Sequence, residues 1–282
     1  MGVYEMKDDA KNIEIINSIL YSEVFRPSPS PFSTQKVTSC LLEETYHFLT
    51  LIDSFAPGLT TLLQNAFLNH LISSFEKINY MEIGTYHGTS LLGALSGNED
   101  NLNKIVINDN WNWGDAEYDV FENNLIKVLS LYYEKDYNLN CVKEKRPLSY
   151  EEKNDNEHER IVTLDNTFDT TLVRGDTWQS AATIMNQWGD DKADIYFYDG
   201  DHEYKSQQDA LVYFKDCLAD EFIFIVDDFQ EGNDVAKGTY SGIEKIGYKI
   251  LFSDNTHSWS ADPRNQYGWG GGQFIAYLKK EF

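Results

Sequence analysis

Residues 193–202 read Ala-Asp-Ile-Tyr-Phe-Tyr-Asp-Gly-Asp-His, and residues 222–228 read Phe-Ile-Phe-Ile-Val-Asp-Asp. Each is a short apolar run that stops on acids, Asp199 and Asp201 in the first, Asp227 and Asp228 in the second. A helix-length segment lies between them, the spacing of a strand–helix–strand unit whose strands pair in parallel. Parallel neighbours end at the same edge of a sheet, so their terminal carboxylates share a small volume. Carboxylates so placed repel one another unless a proton or a cation offsets the charge. The residues therefore point to a divalent metal at this edge.

The same alternation runs from Lys77 to the end of the chain. Candidate strands are Ile78–Ile83, Lys104–Asn108, Thr170–Arg174, Ala193–Tyr198, Phe222–Val226, Gly247–Phe252 and Gln273–Leu278. Helical spacing falls on Leu91–Leu95, around Phe121–Leu131 and on Asp209–Leu218. Apolar strands separated by helices predict an α/β fold, a Rossmann-like, mostly parallel sheet covered on both faces. The last two strands leave no room for a helix. The loop between them ends Gly268-Trp-Gly-Gly-Gly272 and predicts an antiparallel hairpin.

Ahead of this domain, residues 1–76 read as a helical N-terminal extension. Ile13, Ile16, Leu20 and then Leu41, Leu42, Phe48, Leu49 and Ile52 fall at helical spacings, while three prolines in Arg26–Phe32 force an extended loop. The main domain then spans 77–282, with a polar insertion at about 132–169 that holds the charge runs Glu151–Asn156 and Glu157–Arg160. Such a run is a solvated loop by composition. Its functional counterpart is a lid or a contact in a homo-oligomer.

Composition narrows the partners. The 282 residues are 41% hydrophobic, enough for a sizeable core, and the net charge is −23 from 46 acidic against 23 basic residues. A surface of that sign repels phosphate backbones and argues against nucleic acid. The three cysteines, Cys40, Cys141 and Cys217, are scattered without CxxC spacing, which argues against a disulfide framework or zinc site. Met1–Asn12 lacks an apolar signal core, and no apolar run reaches membrane-spanning length, so a cytoplasmic protein with no membrane partner is expected.

A second site lies at the start of the sheet. Residues 80–90 read Tyr-Met-Glu-Ile-Gly-Thr-Tyr-His-Gly-Thr-Ser, a strand entering a glycine turn and then a helix. Gly84 and Gly88 let backbone pass close to a ligand, and amides exposed at a helix start favour acceptor-rich or anionic groups. The spacing differs from the G-x-G-x-x-G of dinucleotide folds. About 25 residues on, the next strand ends at Asp109, an acid placed to accept from both hydroxyls of a ribose. The strand after that ends Arg174-Gly-Asp-Thr-Trp178, where Asp176 and Thr177 are placed to read an adenine edge. Each acid is equally an ordinary helix cap; their order along the chain is the specific feature.

This order resembles the class I S-adenosylmethionine-dependent methyltransferases over roughly residues 77–282. It is most similar to the metal-dependent small-molecule O-methyltransferases, both sugar and catechol types. The resemblance implies a seven-stranded sheet with an antiparallel last strand. It also implies a cofactor site lined by Glu82, Gly84, Tyr86, Gly88 and Ser90, with Asp109 at the ribose and Asp176 and Thr177 near the adenine. Asp199, Asp227 and Asp228 become ligands of Mg²⁺, with Mn²⁺ or Ca²⁺ as alternatives, since oxygen-only donors favour hard cations.

The same resemblance implies methyl transfer from S-adenosylmethionine to a hydroxyl of a small molecule, a sugar by preference. A catechol-like phenol is the alternative acceptor, and a non-catalytic assembly protein of the same fold is the alternative class. His202 is the expected base, with Asp201 as its competitor or a further ligand and Asp199 also in the catalytic group. The catechol type carries lysine where this chain has His202. A neutral imidazole suits proton abstraction near neutral pH. His87 reads as a pocket residue, and His47 and His257 as ordinary ones. Trp111, Trp113, Trp259 and Trp269 read as aromatic borders of the same edge, stacking on an acceptor ring or packing a lid. A DNA or RNA methyltransferase is further disfavoured by the lack of an N/D-P-P-Y/F motif.

Overall fold

The structure is a computed structural model that describes residues 8–20, 49–52, 54–56, 58–111, 117–134, 139–142, 161–164, 167–256 and 271–281. The strands in chain order are β1 (Ile78–Ile83), β2 (Leu102–Asp109), β3 (Leu139–Val142), β4 (Ile161–Leu164), β5 (Thr170–Arg174), β6 (Ala193–Tyr198), β7 (Leu218–Val226), β8 (Tyr248–Asn255) and β9 (Phe274–Lys280). The longer helices are α1 (Asp9–Leu20), α2 (Leu62–Ser73), α3 (Thr89–Leu95), α4 (Glu117–Tyr133), α5 (Thr177–Trp188), α6 (Tyr204–Phe214) and α7 (Asp234–Ile246).

Seven strands form one sheet in the order β5-β2-β1-β6-β7-β9-β8. The first five are parallel neighbours, whereas β9 runs antiparallel to both β7 and β8. This is the Rossmann-like, mostly parallel sheet with an antiparallel last strand expected from the sequence. Its central strands are apolar on both faces because helices cover both. Along each strand successive side chains point to opposite sides. One side carries Tyr80, Ile107, Ile195, Phe197, Ile223 and Ile225 into a core shared with α1, α2, α3 and α4. The other carries Met81, Val106, Tyr196, Tyr198, Phe224 and Val226 into a core shared with α5, α6 and α7.

The structure adds elements that periodicity missed. The insertion read as solvated loop, about 132–169, contains β3 and β4, which pair antiparallel as a separate two-stranded sheet. Helices α5 and α7 are further additions to the helices expected from spacing. The helix expected over Asp209–Leu218 is α6 at Tyr204–Phe214, and β7 already starts at Leu218. The polar pair Asp220-Glu221 hides that start from an apolar-run reading. The Pro-rich segment, His47, Trp113, His257, Trp259 and Trp269 lie outside the described residues. Among the described residues no helix is long and apolar enough to cross a membrane.

The extension docks at two points, one on the sheet and one on α3. On α1, the Asn12 amide donates to the Tyr277 hydroxyl at 3.0 Å, and the single proton of that hydroxyl is shared between Glu221 at 2.8 Å and Asp9 at 3.1 Å. On α2, Asn69 donates to the backbone oxygens of Gly93 and Ser96 at 2.9 and 2.7 Å, clamping the helix against α3.

Candidate active site

The β1–α3 turn is built for close approach. After Ile83 the chain passes through Gly84 (φ +90°), Tyr86 (φ +44°) and Gly88 (φ +79°) before α3 begins. A Cβ added at Gly84 would overlap the carbonyl oxygen of Asp199, because the ends of β1 and β6 touch there. The Asp199 N–H donates to the Ile83 carbonyl at 2.8 Å across the same junction. Only glycine satisfies both that contact and the left-handed backbone.

Glu82 lies beneath the turn and is fully buried. Ser90 Oγ donates to its Oε1 at 2.6 Å and the Tyr80 hydroxyl to its Oε2 at 2.7 Å. Burial raises its pKa while these hydrogen bonds oppose the rise. Glu82 thus ties the first turn of α3 to β1 from below and is not part of the cleft wall.

Asp109 closes β2 and links two turns. Its Oδ2 accepts the Tyr86 N–H and its Oδ1 the Trp111 N–H, both at 2.7 Å. The Trp111 indole N–H returns to the Tyr86 carbonyl at 2.6 Å. Burial raises the Asp109 pKa, opposed by the backbone donors of Trp111, Tyr86 and Asn110. The Trp111 ring is itself almost wholly buried, packed against Tyr118 and Phe121 at ring-centre distances of 5.0 Å. Its environment is that of a packed wall.

At the end of β5, Asp176 caps α5, accepting the Trp178 and Gln179 N–H groups at 3.0 and 3.2 Å. Thr177 donates to Asn108 Oδ1 at 2.8 Å, and Asn108 Nδ2 donates to the carbonyls of Val173 and Gly175. Asn108 is fully buried and braces β2 against β5.

The acids of β6 and β7 meet at the adjoining edge. Asp199 has its pKa pushed well up, first by burial and then by the charges of Asp227, Asp228, Glu82 and Asp109. Asp227 is pushed up to about 7 by burial and by Asp228, with a hydrogen bond from Gln273 working the other way. Asp228 sits at φ +52°, a left-handed conformation that is unusual for a non-glycine residue. Its Oδ2 lies 3.5 Å from His202 Nδ1, and both side chains are about half exposed. Asp201 belongs to the start of α6, where Ser206 Oγ donates to its Oδ2 at 2.7 Å and the Glu203 N–H to its Oδ1 at 3.3 Å.

These edges line one cleft of about 770 Å³, from Tyr86, Asp109, Asp176 and Thr177 at one end to Asp199, Asp201, His202, Asp227 and Asp228 at the other. Gly84 and Ser90 are on its wall, as is His87, whose ring stacks on Tyr86 at 3.7 Å. Six aspartates face this space, with no lysine or arginine among its described lining residues. A cluster of that charge calls for a cation or protons. Among the described residues no three His, Cys, Asp or Glu side chains converge as a metal cage. The all-carboxylate donor set of Asp199, Asp227 and Asp228 fits a hard cation in chemistry. Asp227 accepts a hydrogen bond from Gln64, and Asp228 lies beside His202.

Sequence reasoning missed Gln64, which reaches the acids from the first turn of α2, and Gln273, which meets Asp227 from the start of β9. The signal for Gln64 is present as Thr61-Leu-Leu-Gln64, the spacing of a capping box. Leu59, Thr60 and Thr89 on the cleft wall carry no such signal.

A family model described as a methyltransferase domain matches residues 81–229, which span β1 to the Asp227-Asp228 edge. Comparison with curated proteins gives no match. Among solved structures, an O-methyltransferase from Bacillus cereus in complex with SAH is similar at 15% identity, covering 87% of this chain and 96% of its own, with a TM-score of 0.51. The cofactor-bound Rv0187 from MTB is similar at 14% identity, over 90% of this chain and 100% of its own, with a TM-score of 0.53. The O-methyltransferase TomG from Streptomyces achromogenes, involved in tomaymycin synthesis and in complex with SAM, is similar at 13% identity, over 86% of this chain and 94% of its own, with a TM-score of 0.50. At these identities the likeness is one of fold, whereas the family model covers more than half of the chain, and the chain therefore belongs to the methyltransferase-domain family, on the class I S-adenosylmethionine-dependent methyltransferase fold.

Proposed function

We propose that the protein is an S-adenosylmethionine- and divalent-metal-dependent O-methyltransferase that methylates a hydroxyl of a small molecule, a sugar in the first instance, in the cytoplasm. The observation that carries this reading is the meeting of Asp199, Asp227 and Asp228 beside a glycine turn that touches the Asp199 backbone. That contact brings the glycine turn and the acidic strand ends into one cleft. Phenolic acceptors are the alternative on the same site.

In this reading the turn from Gly84 to Ser90 holds the methionine part of the cofactor. Gly88 lies behind the wall, where an added Cβ would press on Leu125 and Phe121, so it shapes the turn. Asp109 takes the ribose with the lone pairs its backbone donors leave free. Asp176 and Thr177 border the adenine, and Asp199, Asp227 and Asp228 would hold Mg²⁺. When bound, S-adenosylmethionine supplies an electrophilic methyl on a sulfonium, and the cation lowers the pKa of an acceptor hydroxyl.

The remaining chemistry belongs to the chain. His202 takes the hydroxyl proton on a ring nitrogen as the acceptor oxygen forms its bond to the methyl carbon and the carbon–sulfur bond breaks. The imidazolium so formed lies beside the Asp228 carboxylate, which stabilises it. Asp201, held by Ser206 and the Glu203 amide, is the competing base. The cleft walls hold both reactants in line, which supplies much of the rate in a displacement of this kind. Labelled S-adenosylmethionine with a panel of monosaccharides, catechols, amines and carboxylic acids tests the reading. Methyl incorporation into a sugar hydroxyl supports it, and incorporation only into nitrogen or carboxyl acceptors contradicts it.

A further inference from the structure

Asp227 is approached by a residue from far away in the chain. Gln64 Nε2 donates to Asp227 Oδ1 at 3.0 Å, across a separation of 163 positions. Gln64 is the third residue of α2, and its own position is doubly fixed. The Thr61 N–H donates to Gln64 Oε1 at 2.8 Å, and the Gln64 N–H donates to Thr61 Oγ1 at 3.2 Å, a complete capping box. The carboxamide is therefore oriented. Its oxygen is held by the backbone of its own helix, so its NH₂ faces the acid.

The helix carrying Gln64 is equally fixed to the cofactor side of the cleft. Its Asn69 clamps onto α3 through the Gly93 and Ser96 carbonyls. Just before α2, Thr89 Oγ1 donates to the Ala56 carbonyl at 3.2 Å, and a Cβ added at Gly58 would overlap that same hydroxyl oxygen. Thr89 is the first residue of α3, at the end of the glycine turn. The segment from Ala56 to Gln64 thus runs from the cofactor turn to the acid edge, with Leu59 and Thr60 on the cleft wall between them.

We propose that Gln64 is a positioning residue of the acid centre. It occupies one lone pair of Asp227 Oδ1 and fixes the rotation of that carboxylate, so that Asp227 is presented to a cation shared with Asp199. A neutral amide does this without competing as a charged ligand and without neutralising the acid. Partners that orient ligating carboxylates carry much of a site's metal affinity, with losses of about 10–100-fold when they are removed. The inference assigns the N-terminal extension a part in the reaction centre, and it rests on the metal-dependent reading above.

The test uses the full-length protein and Mn²⁺ alone, with free Mn²⁺ followed by electron paramagnetic resonance and the melting temperature by calorimetry. Wild type is expected to bind Mn²⁺, and Gln64→Met to bind it roughly 10-fold or more weakly. Gln64→Asn keeps the amide but is one methylene short, and it repeats the loss should the Met variant not fold. Thr61→Val removes the hydroxyl half of the capping box and leaves the Thr61 N–H in place. It is expected to lower the melting temperature while keeping Mn²⁺ affinity within about twofold of wild type. Wild-type affinity in both Gln64 variants overturns the proposal, as does an equal loss in Thr61→Val, which would trace the effect to the helix cap. Failure of wild type to bind Mn²⁺ removes the metal reading itself, and this inference with it.

Discussion

The Asp199 backbone and Gly84 share one junction: the Asp199 N–H donates to the residue before the glycine, and the Asp199 carbonyl oxygen fills the space a Cβ at Gly84 would take. The glycine turn and the acid edge are therefore built on each other. Substituting Gly84→Ala forces a side chain into backbone at φ +90°. The expected loss is about 2–4 kcal/mol of stability, from the two named causes of overlap and left-handed strain. Urea unfolding measures it; a variant as stable as wild type would show that the junction yields easily.

A buried polar brace gives a second prediction. Asn108 makes three side-chain hydrogen bonds, to Val173, Gly175 and Thr177, and is fully buried. Asn108→Ala leaves two carbonyls and a hydroxyl without these partners, at a cost of about 2–3 kcal/mol. Because Thr177 and Asp176 follow directly, the KM for S-adenosylmethionine should rise more than the acceptor KM. Equal changes in both would show that Asn108 serves stability alone.

The start of β6 gives a pH dependence away from the cleft. Asp194 accepts the Asn79 N–H at 2.9 Å, yet burial pushes its pKa up to about 6 from an ordinary 3.8. The folded state thus binds this proton more tightly than the unfolded chain does. Its contribution is fully present below pH 3.8 and is lost as pH rises through about 6. Asp194→Asn keeps an acceptor for Asn79 and carries no charge. It should stabilise the protein at pH 8 by on the order of 2 kcal/mol, with little gain at pH 4. Melting curves at both values decide it; an equal gain at each pH would point to a cause other than ionisation.

Charge also limits the acceptor. Six aspartates and no lysine or arginine line the described cleft. Neutral or amino-substituted sugars should therefore outcompete their phosphorylated counterparts by at least roughly tenfold in kcat/KM, as like-charge burial is costly. Competition assays with matched pairs measure the ratio. Preference for a phosphorylated sugar would contradict the electrostatic argument.

Much of this site was readable because strand ends are readable. The runs 78–83, 193–198 and 222–226 are mostly apolar since helices cover both faces of the sheet, and the acids that follow 193–198 and 222–226 fall at one edge by topology alone. What side chains do at that edge was less visible. Glu82 and Asp109 carry the spacing of ligand-facing acids, yet Glu82 is held below the cleft by Ser90 and Tyr80, and both Asp109 oxygens already accept backbone amides. Trp111 does line the cleft, but as a largely buried ring whose indole N–H is held by the Tyr86 carbonyl. Gln64 escaped notice since its partner lies 163 positions away. Local pattern shows the capping box and nothing of what the amide touches.

The central claim is that the carboxylates ending β6 and β7 form a cation-dependent centre for methyl transfer. The direct measurement is the rate of methyl transfer from labelled S-adenosylmethionine to the best acceptor, with Mg²⁺ and with EDTA, in wild type, Asp199→Ala and Asp227→Ala, with cofactor binding followed in parallel. The account predicts turnover in wild type with Mg²⁺, a loss of about 100-fold or more with EDTA or in either variant, and S-adenosylmethionine bound in all of them. Undiminished methyl transfer in EDTA, or in Asp199→Ala, would contradict it.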